Sequence, residues 1–453
     1  MQPLPKEFEE QMKRLLGEAG FFAYLDALNQ PYTRALRVNL LLRPDGTPSC
    51  PIEGLGAPVP WAKGAYFVEG DARPGLSPLH EGGLFYMQEP SALTAVTALD
   101  PQPGERVLDL CAAPGGKSTQ IAALMAGRGL LCCNEPIPSR AQILSRNIER
   151  MGVRNAVVLS AMPDALAPRF PAFFDRILVD APCSGEGMFR RQPEARDEWD
   201  ADAPRRCADR QMEILAQAAK MLRPGGTMVY STCTFNDTEN EGVLKRFLAL
   251  HPEFSLVPFA LPGLPEAKDG YLHLYPHEMR GEGHFVSRLK KADGADEADA
   301  PVQAAPQRKA PARAAAKGKA PASIALPDVF SDAFAPERLY TAGDALWMLP
   351  EGISIERLSG LRVLRTGLLL AHAEGKRSEP DHALAMALHP EEAARTASLT
   401  QTQALAYQAG ETLSLGDLPG GYTLLCCEGV SLGWGKQAGG LMKNHYPKGL
   451  RRR

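Results

Sequence analysis

Residues 106–120 read RVLDLCAAPGGKSTQ, and the fold turns on what this stretch does. Arg106 to Leu110 has the short Val/Leu pattern of a buried strand. Residues 111–116 can continue neither strand nor helix, and helical spacing resumes through Ile121, Leu124 and Met125. A strand, a small-residue loop and a helix in succession place loop N–H groups and a helix N-terminus at the carboxyl end of a sheet. A ligand can approach closely there.

The loop itself discriminates among ligands. A P-loop requires glycine where Cys111 stands, and Pro114 interrupts a dinucleotide fingerprint. What remains is a nucleoside-binding loop of the S-adenosylmethionine kind, with Asp109 as a partner for the cofactor's amino-acid end. The alternative is a Gly-rich turn with no ligand.

Outward from this stretch, strands and helices alternate over residues 88–291, as a doubly wound α/β sheet requires. Strands are expected at residues 129–134, 156–159, 176–179, 227–230 and 284–289. Helices are expected at 138–151 and 205–222, the latter stopped by a turn at Arg223-Pro224-Gly225-Gly226. Residues 1–87 read as an N-terminal domain, with an amphipathic helix through Phe8, Met12, Leu15 and Leu16 and a strand over 35–42. Residues 292–325, rich in Ala, Pro and basic side chains, read as a linker. Residues 326–453 hold strand patterns at 346–349, 362–372 and 422–427 and a short helix at 380–388.

The 453 residues carry 44% apolar and 23% charged side chains, values of a soluble globular protein. A net charge of −3 gives no global basic field, so nucleic-acid contact must come from patches. Two patches lack acids: residues 302–325, and the end of the chain with Lys436, Lys443, Lys448, Arg451, Arg452 and Arg453. Nine cysteines without a C-x-x-C argue for reduced thiols in a cytosol and against zinc or a disulfide framework. His273 and His277 are separated by Pro276, which spoils a helical metal pair. No signal peptide or apolar run long enough for a membrane span is expected. The reading is a cytoplasmic, metal-free monomer.

In an open parallel sheet the carboxyl ends of the strands share one crevice. Those ends here carry Cys111 to Lys117, Glu135, Asp180 with Cys183, and Cys233. An acid after the second strand suits ribose hydroxyls, which makes Glu135 a cofactor contact. Two thiols and a carboxylate beside a methyl donor suit methylation at carbon 5 of cytosine. That carbon is too weak a nucleophile until a thiolate adds to carbon 6. A carboxyl group that protonates ring nitrogen 3 assists, and Asp180 is placed for it. Lys117 is a candidate source of positive charge for the attacking thiol. The residues alone leave open which thiol attacks.

The strings LDLCAAPGGKST, FDRILVDAPCSGEGMF and VYSTCTFNDTENE resemble the motifs of the Sun-type (NSUN) RNA cytosine-5 methyltransferases. PLPKEFEEQMKRLLGE, RALRVNLL, GEGHFVSRL and LGWGKQAGGLMKNHYPKGLR resemble the bacterial RsmF-type ribosomal RNA methyltransferases. The resemblance implies a Rossmann-like class I methyltransferase core, a small N-terminal domain and a PUA-like, RNA-binding C-terminal region. It implies 16S ribosomal RNA or the small ribosomal subunit as partner, with transfer RNA or a non-catalytic assembly role as rivals. It assigns Cys233 as nucleophile and Cys183 to product release. It carries cofactor binding to Cys111, Ala112, Ala113, Pro114, Gly115, Gly116, Lys117, Glu135, Arg140 and Asp180. The family often has an acid after the third strand to hold the adenine amino group. By spacing Met162 takes that place, with Asp164 as a weaker candidate. The C-terminal region is expected to be separable: its removal should weaken RNA binding and leave cofactor binding intact.

Overall fold

The computed structural model describes residues 3–294, 329, 336–374 and 377–452. The basic stretch 302–325 and all but the first three residues of the expected linker lie outside these described residues. The central sheet contains β1 (Arg106–Asp109), β2 (Leu130–Asn134), β3 (Ala156–Leu159), β4 (Phe174–Asp180) and β5 (Leu222–Thr232). It continues with β6 (Phe254–Leu256), β7 (Tyr271–Leu274), β8 (His284–Lys291) and β9 (Val363–Arg365). Their spatial order is β6-β8-β5-β4-β1-β2-β3-β9, with β7 also paired to β8. Strands β1 to β5 run parallel, and β8 lies antiparallel to β5. Strand order reverses at β1, between β2 and β4, and this is where such sheets hold ligands.

The sequence makes these strands because both faces are covered. All five residues of β2 are buried, as parallel strands between two helical layers demand. One cover is the helix Pro138–Arg150, which starts at Pro138 and turns Ala141, Leu144 and Ile148 inward. The Arg-Pro-Gly-Gly segment expected to separate helix from strand lies inside β5. The register jumps from Phe174↔Leu222 to Arg176↔Thr227, so Pro224, Gly225 and Gly226 bulge out of the ladder.

The N-terminal segment is a helical stretch, Lys6–Leu28, broken at Gly17 (φ +68°), and a four-stranded sheet of Leu55–Pro58, Ala65–Val68, Ala35–Val38 and Phe85–Gln88. The strand expected to reach residue 42 ends at Val38. Asn39 turns the chain there: its amide donates to the carbonyls of Gly83 (2.9 Å) and Met151 (3.0 Å) and its side-chain oxygen accepts from Leu41 N (3.1 Å). Arg37, 1% exposed, reaches the other way and donates to Thr119 Oγ1 at 2.8 Å and Gly116 O at 3.3 Å. This sheet therefore holds the helix that follows the Gly-rich loop.

Beyond the linker lie two four-stranded sheets, Leu339–Ala342 to Arg377–Pro380 and Thr396–Ser398 to Leu441–Asn444. The single strand expected over 362–372 is two, because Gly367 (φ +146°) passes where a Cβ would meet Met348 O at 2.1 Å. Its first half, β9, leaves the C-terminal sheet and pairs antiparallel with β3 at the edge of the central one. Leu358 just before it is 4% exposed within the central core. Arg169 donates to the carbonyls of Glu356 (2.8 Å) and Arg357 (3.2 Å), Arg365 pairs with Glu149, and Arg154 donates to Glu392 Oε1 at 2.9 Å. The C-terminal region does not stand clear of the core: it supplies an edge strand and core side chains to the sheet that carries the loop.

Among the described residues no helix is long and apolar enough to cross a membrane, and no group of three or more His, Cys, Asp and Glu could hold a metal ion.

Candidate active site

Two cavities meet above the carboxyl ends of β1, β2, β4 and β5. The larger, about 810 Å³, is lined by Cys111, Ala113, Glu135, Arg140, Met162, Asp164, Asp180, Cys183 and Cys233, with Pro136, Ile137, Pro163 and residues of the helix Ala203–Met221. The smaller, about 360 Å³, is walled by Tyr86, Gln88 and Glu89 on one side and by Cys111 to Pro114, Gly116, Lys117, Asp180, Cys233 and His284 on the other. Asp180 and Cys233 border both. Cys183 borders only the larger.

Most residues expected from the sequence are thus brought together. Two are not at a cavity surface. Asp109 is fully buried beneath the loop and accepts a hydrogen bond from Ser118 Oγ at 2.6 Å; burial pushes its carboxyl up to about 7 against that hydrogen bond. It secures the helix start rather than facing a ligand. Gly115 turns away at φ +113°, and a Cβ there would press on Leu144 Cδ1 (3.2 Å) and Asn147 Cβ (3.3 Å). Asn147 Nδ2 meanwhile donates to Pro114 O at 2.9 Å, which ties loop to helix. Gly115→Ala is expected to cost about 1–3 kcal/mol of strain and to weaken cofactor binding with it, read together by chemical denaturation and calorimetry.

In the larger cavity Glu135 accepts from Ile137 N at 3.0 Å and faces Arg140 Nη1 at 3.4 Å, while Arg140 Nη2 donates to Ala113 O at 3.2 Å. Ile137 (48% exposed) and Met162 (61% exposed) are large apolar side chains left uncovered at this rim. A carboxylate beside two exposed apolar side chains suits a ribose joined to a flat, apolar-faced ring. The site residues thus fit an adenosyl group, and the exposed side chain at position 162 is apolar rather than acidic.

Asp180 ends β4 and is crowded by donors. Lys117 Nζ lies 2.8 Å from Oδ2, Ser231 Oγ donates to Oδ1 at 2.9 Å, and His284 Nε2 sits 3.6 Å from Oδ1. Burial would raise its pKa, but Lys117 and then His284 outweigh burial and hold the carboxyl well below the usual range. Burial in turn would lower the Lys117 pKa, and Asp180 more than restores it. Asp180 is therefore an ionised carboxylate locked to an ammonium, not the protonated acid expected from the sequence. His284, 3% exposed, is kept neutral by burial and by Lys117.

The two thiols come from different loops, yet their sulfurs are 3.3 Å apart, and both are free. The hydrogen bond to Cys233 and burial push the Cys183 thiol far up, so Cys183 is held protonated, and either sulfur can be the donor across the 3.3 Å contact. Two buried carboxylates that the sequence reading missed hold the loops in register. Glu239 accepts from Ser184 N (3.1 Å), Gln211 Nε2 (2.8 Å) and Asn236 Nδ2 (2.8 Å), and burial raises its pKa despite them. Glu186 accepts from Phe235 N (2.8 Å), Asn236 N (3.0 Å) and Gln11 Nε2 (2.9 Å). Gly187 N donates to Cys233 O at 2.8 Å. The signal available in the sequence was the density of polar residues in SGEGMF and TFNDTENE, flanking thiols in otherwise apolar surroundings.

The basic chain end is only partly free for phosphates. Arg452 donates to the carbonyls of Leu76 and Ser77 and so docks the C-terminal region on the N-terminal one; Lys443 and Lys448 remain exposed.

Comparison with known proteins places this geometry. Residues 96–290 match the family model of the 16S rRNA methyltransferase RsmB/F, and residues 4–90 that of the N-terminal domain of 16S rRNA methyltransferase RsmF. Residues 327–388 match the RsmF rRNA methyltransferase first C-terminal domain and 394–452 the methyltransferase RsmF PUA domain. The ribosomal RNA small subunit methyltransferase F of Erwinia tasmaniensis is 34% identical over 98% of this chain and 96% of its own, and that of an Enterobacter species is 35% identical over 98% and 95%. Among solved structures, a methyltransferase homolog protein from Pyrococcus horikoshii aligns with a TM-score of 0.54 and 30% identity over 63% of this chain and 95% of its own. NSun6 from the same organism, with the S-adenosylmethionine analogue SFG, aligns at 0.55 and 23% over 64% and 99%, a likeness of fold alone.

Proposed function

The chain belongs to the RsmF family of 16S ribosomal RNA methyltransferases, using S-adenosylmethionine, and we propose that its target is carbon 5 of a cytosine, attacked through a covalent bond to Cys233. The observation that carries this reading is that Cys233 borders both cavities while its thiol partner borders one. The larger cavity takes the cofactor, through Glu135, Ile137, Met162 and the loop after β1. The smaller admits a flipped pyrimidine. Extruding that base costs about a few kcal/mol, less where the RNA is already single-stranded.

S-Adenosylmethionine supplies the electrophilic methyl group; the protein's part is to make carbon 5 nucleophilic. The Cys233 sulfur adds to carbon 6 and its electrons pass through the ring toward carbon 5 and nitrogen 3. Charge gathering on nitrogen 3 is met by the Lys117–Asp180 pair, which can pass a proton to it; the carboxylate also suits the 4-amino group as an acceptor. After transfer water or hydroxide takes the carbon 5 proton, the electrons left behind re-form the carbon 5–carbon 6 double bond as the carbon 6–sulfur bond breaks, the nitrogen 3 proton returns to the Lys117–Asp180 pair, and the S–H of Cys183 stabilises the departing sulfur. An exocyclic amine target would call for Asp/Asn-Pro-Pro-aromatic at the end of β4, where this chain has Asp180-Ala181-Pro182-Cys183.

The test is nucleoside mass spectrometry with fragmentation of methylated 16S RNA: 5-methylcytidine supports the proposal, and N4-methylcytidine or a methylated purine overturns it. Asp180 gives a second prediction. Asp180→Ala strands the Lys117 ammonium and is expected to cost on the order of 3 kcal/mol of stability. The Asp180→Ala/Lys117→Met double variant is expected to regain most of that in a denaturation midpoint yet stay inactive.

A further inference from the structure

Next to the base cavity lies a second cleft that the proposed reaction does not use. It measures about 500 Å³ and is lined by Leu28, Pro31, Tyr32, Arg190, Pro193 and Arg196. Residues 190–193 form the wall between the two, since Arg191 and Gln192 border the base cavity while Arg190 and Pro193 border this one. Tyr32 stands 46% exposed on its rim, and the exposed Arg191 guanidinium lies 6.0 Å from the Tyr32 ring centroid.

The platform is stiff. Glu282 accepts from Thr33 N at 2.9 Å, which fixes the backbone beside Tyr32. The same carboxylate takes Arg190 Nε at 2.7 Å and Nη2 at 2.8 Å, and Arg190 also donates to Ala27 O at 2.7 Å and Gly281 O at 3.0 Å. One buried carboxylate thus anchors the ring-bearing loop, the arginine wall and the chain segment leading to Gly283 and His284 of the base cavity. Arg190 is spent on this framework; among the described residues no hydrogen bond or ion pair engages the Arg191 guanidinium, which lies over the Tyr32 ring. An exposed aromatic ring on an anchored loop, a guanidinium over it that no hydrogen bond or ion pair holds, and a nucleotide-sized cleft one wall away from the reacting base are the parts of a single-stranded RNA stacking site.

We propose that this cleft is a ribonucleotide subsite, in which a base neighbouring the target cytosine on the same strand stacks on Tyr32 while Arg191 meets the intervening phosphate. The inference rests on the reading of the smaller cavity as the cytosine pocket. Stacking of the neighbour returns part of what extrusion of the target costs and sets its register.

The experiment uses full-length protein and an oligoribonucleotide carrying the target cytosine, made intact or with an abasic ribose at either neighbouring position. For wild-type protein, one of the two abasic substitutions is expected to lower kcat/KM about 5- to 150-fold, the range of base–aromatic stacking. Tyr32→Ala is expected to lose as much on the intact strand, chiefly in KM, and to lose nothing more on the abasic one; Tyr32→Phe retains activity. Arg191→Gln is expected to reduce the slope of log affinity against log salt by about 1. Cofactor affinity and melting temperature should stay at wild-type values in all three variants. Equal sensitivity of Tyr32→Ala and wild-type protein to the abasic positions overturns the subsite while leaving the cytosine reading intact. Product other than 5-methylcytidine from the intact strand with wild-type protein overturns that reading, and the subsite with it.

Discussion

Cys233→Ala protein incubated with S-adenosylmethionine and 16S RNA is expected to form neither 5-methylcytidine nor a covalent complex, whereas Cys183→Ala is expected to migrate with RNA attached on a denaturing gel. Carbon 5 is not reactive toward a sulfonium without addition at carbon 6, so loss of the nucleophile should reduce turnover by about 10⁴-fold or more, as loss of a covalent nucleophile does elsewhere. The asymmetry between the thiols follows from their 3.3 Å contact and from the raised pKa that keeps Cys183 protonated and able to donate to a departing sulfur. Removing that donor leaves attack possible and makes the sulfur a poorer leaving group, so the adduct accumulates. An adduct that persists in Cys233→Ala and disappears in Cys183→Ala would exchange the two roles.

Deletion of residues 326–453 is expected to abolish stable cofactor binding, the second large effect. The deleted region contributes β9 to the edge beside β3, buries Leu358 in the central core and packs the partly buried Ile353, Ile355, Leu361 and Val363 against it. Full burial of such a side chain contributes about 1.5–3 kcal/mol and partial burial less, so their combined loss takes a large share of the roughly 5–15 kcal/mol that holds a domain together. Met162, at the rim of the larger cavity, lies three residues beyond the end of β3, and Ser160 N donates to Arg362 O at 2.9 Å, so the exposed edge lies beside that cavity. Thermal unfolding and calorimetry on the truncated chain check this; wild-type melting temperature and cofactor affinity would show the region to be separable after all.

The alternation of strands and helices over residues 88–291 and the loop at 111–117 were legible because parallel strands buried on both faces leave unbroken apolar runs, and Gly-rich turns leave none. What escaped were features that depend on contacts between distant segments. Nothing in the run Val363, Leu364, Arg365 announces that it will leave one sheet for another; the break at Gly367 has meaning only once Met348 O stands against it. The ionised state of Asp180 likewise depends on Lys117 and His284, 63 positions before it in the first case and far along the chain in the second. Glu186 and Glu239 read as ordinary surface acids by residue type, and only their burial between the two thiol loops reveals them as supports. Asp109 erred in the opposite sense: its position at a strand end suggested a ligand contact, and the helix start took it instead.

The central claim is a bond between the Cys233 sulfur and carbon 6 of the target base. Wild-type protein should be incubated with S-adenosylmethionine and RNA carrying 5-fluorocytidine at the target, where fluorine cannot leave as a proton and the methylated adduct is held, and the digested complex sequenced by tandem mass spectrometry. The account predicts a methylated fluorocytidine attached to the peptide sulfur of Cys233. Attachment to Cys183, or unmodified cysteines beside RNA methylated at another atom, would contradict it.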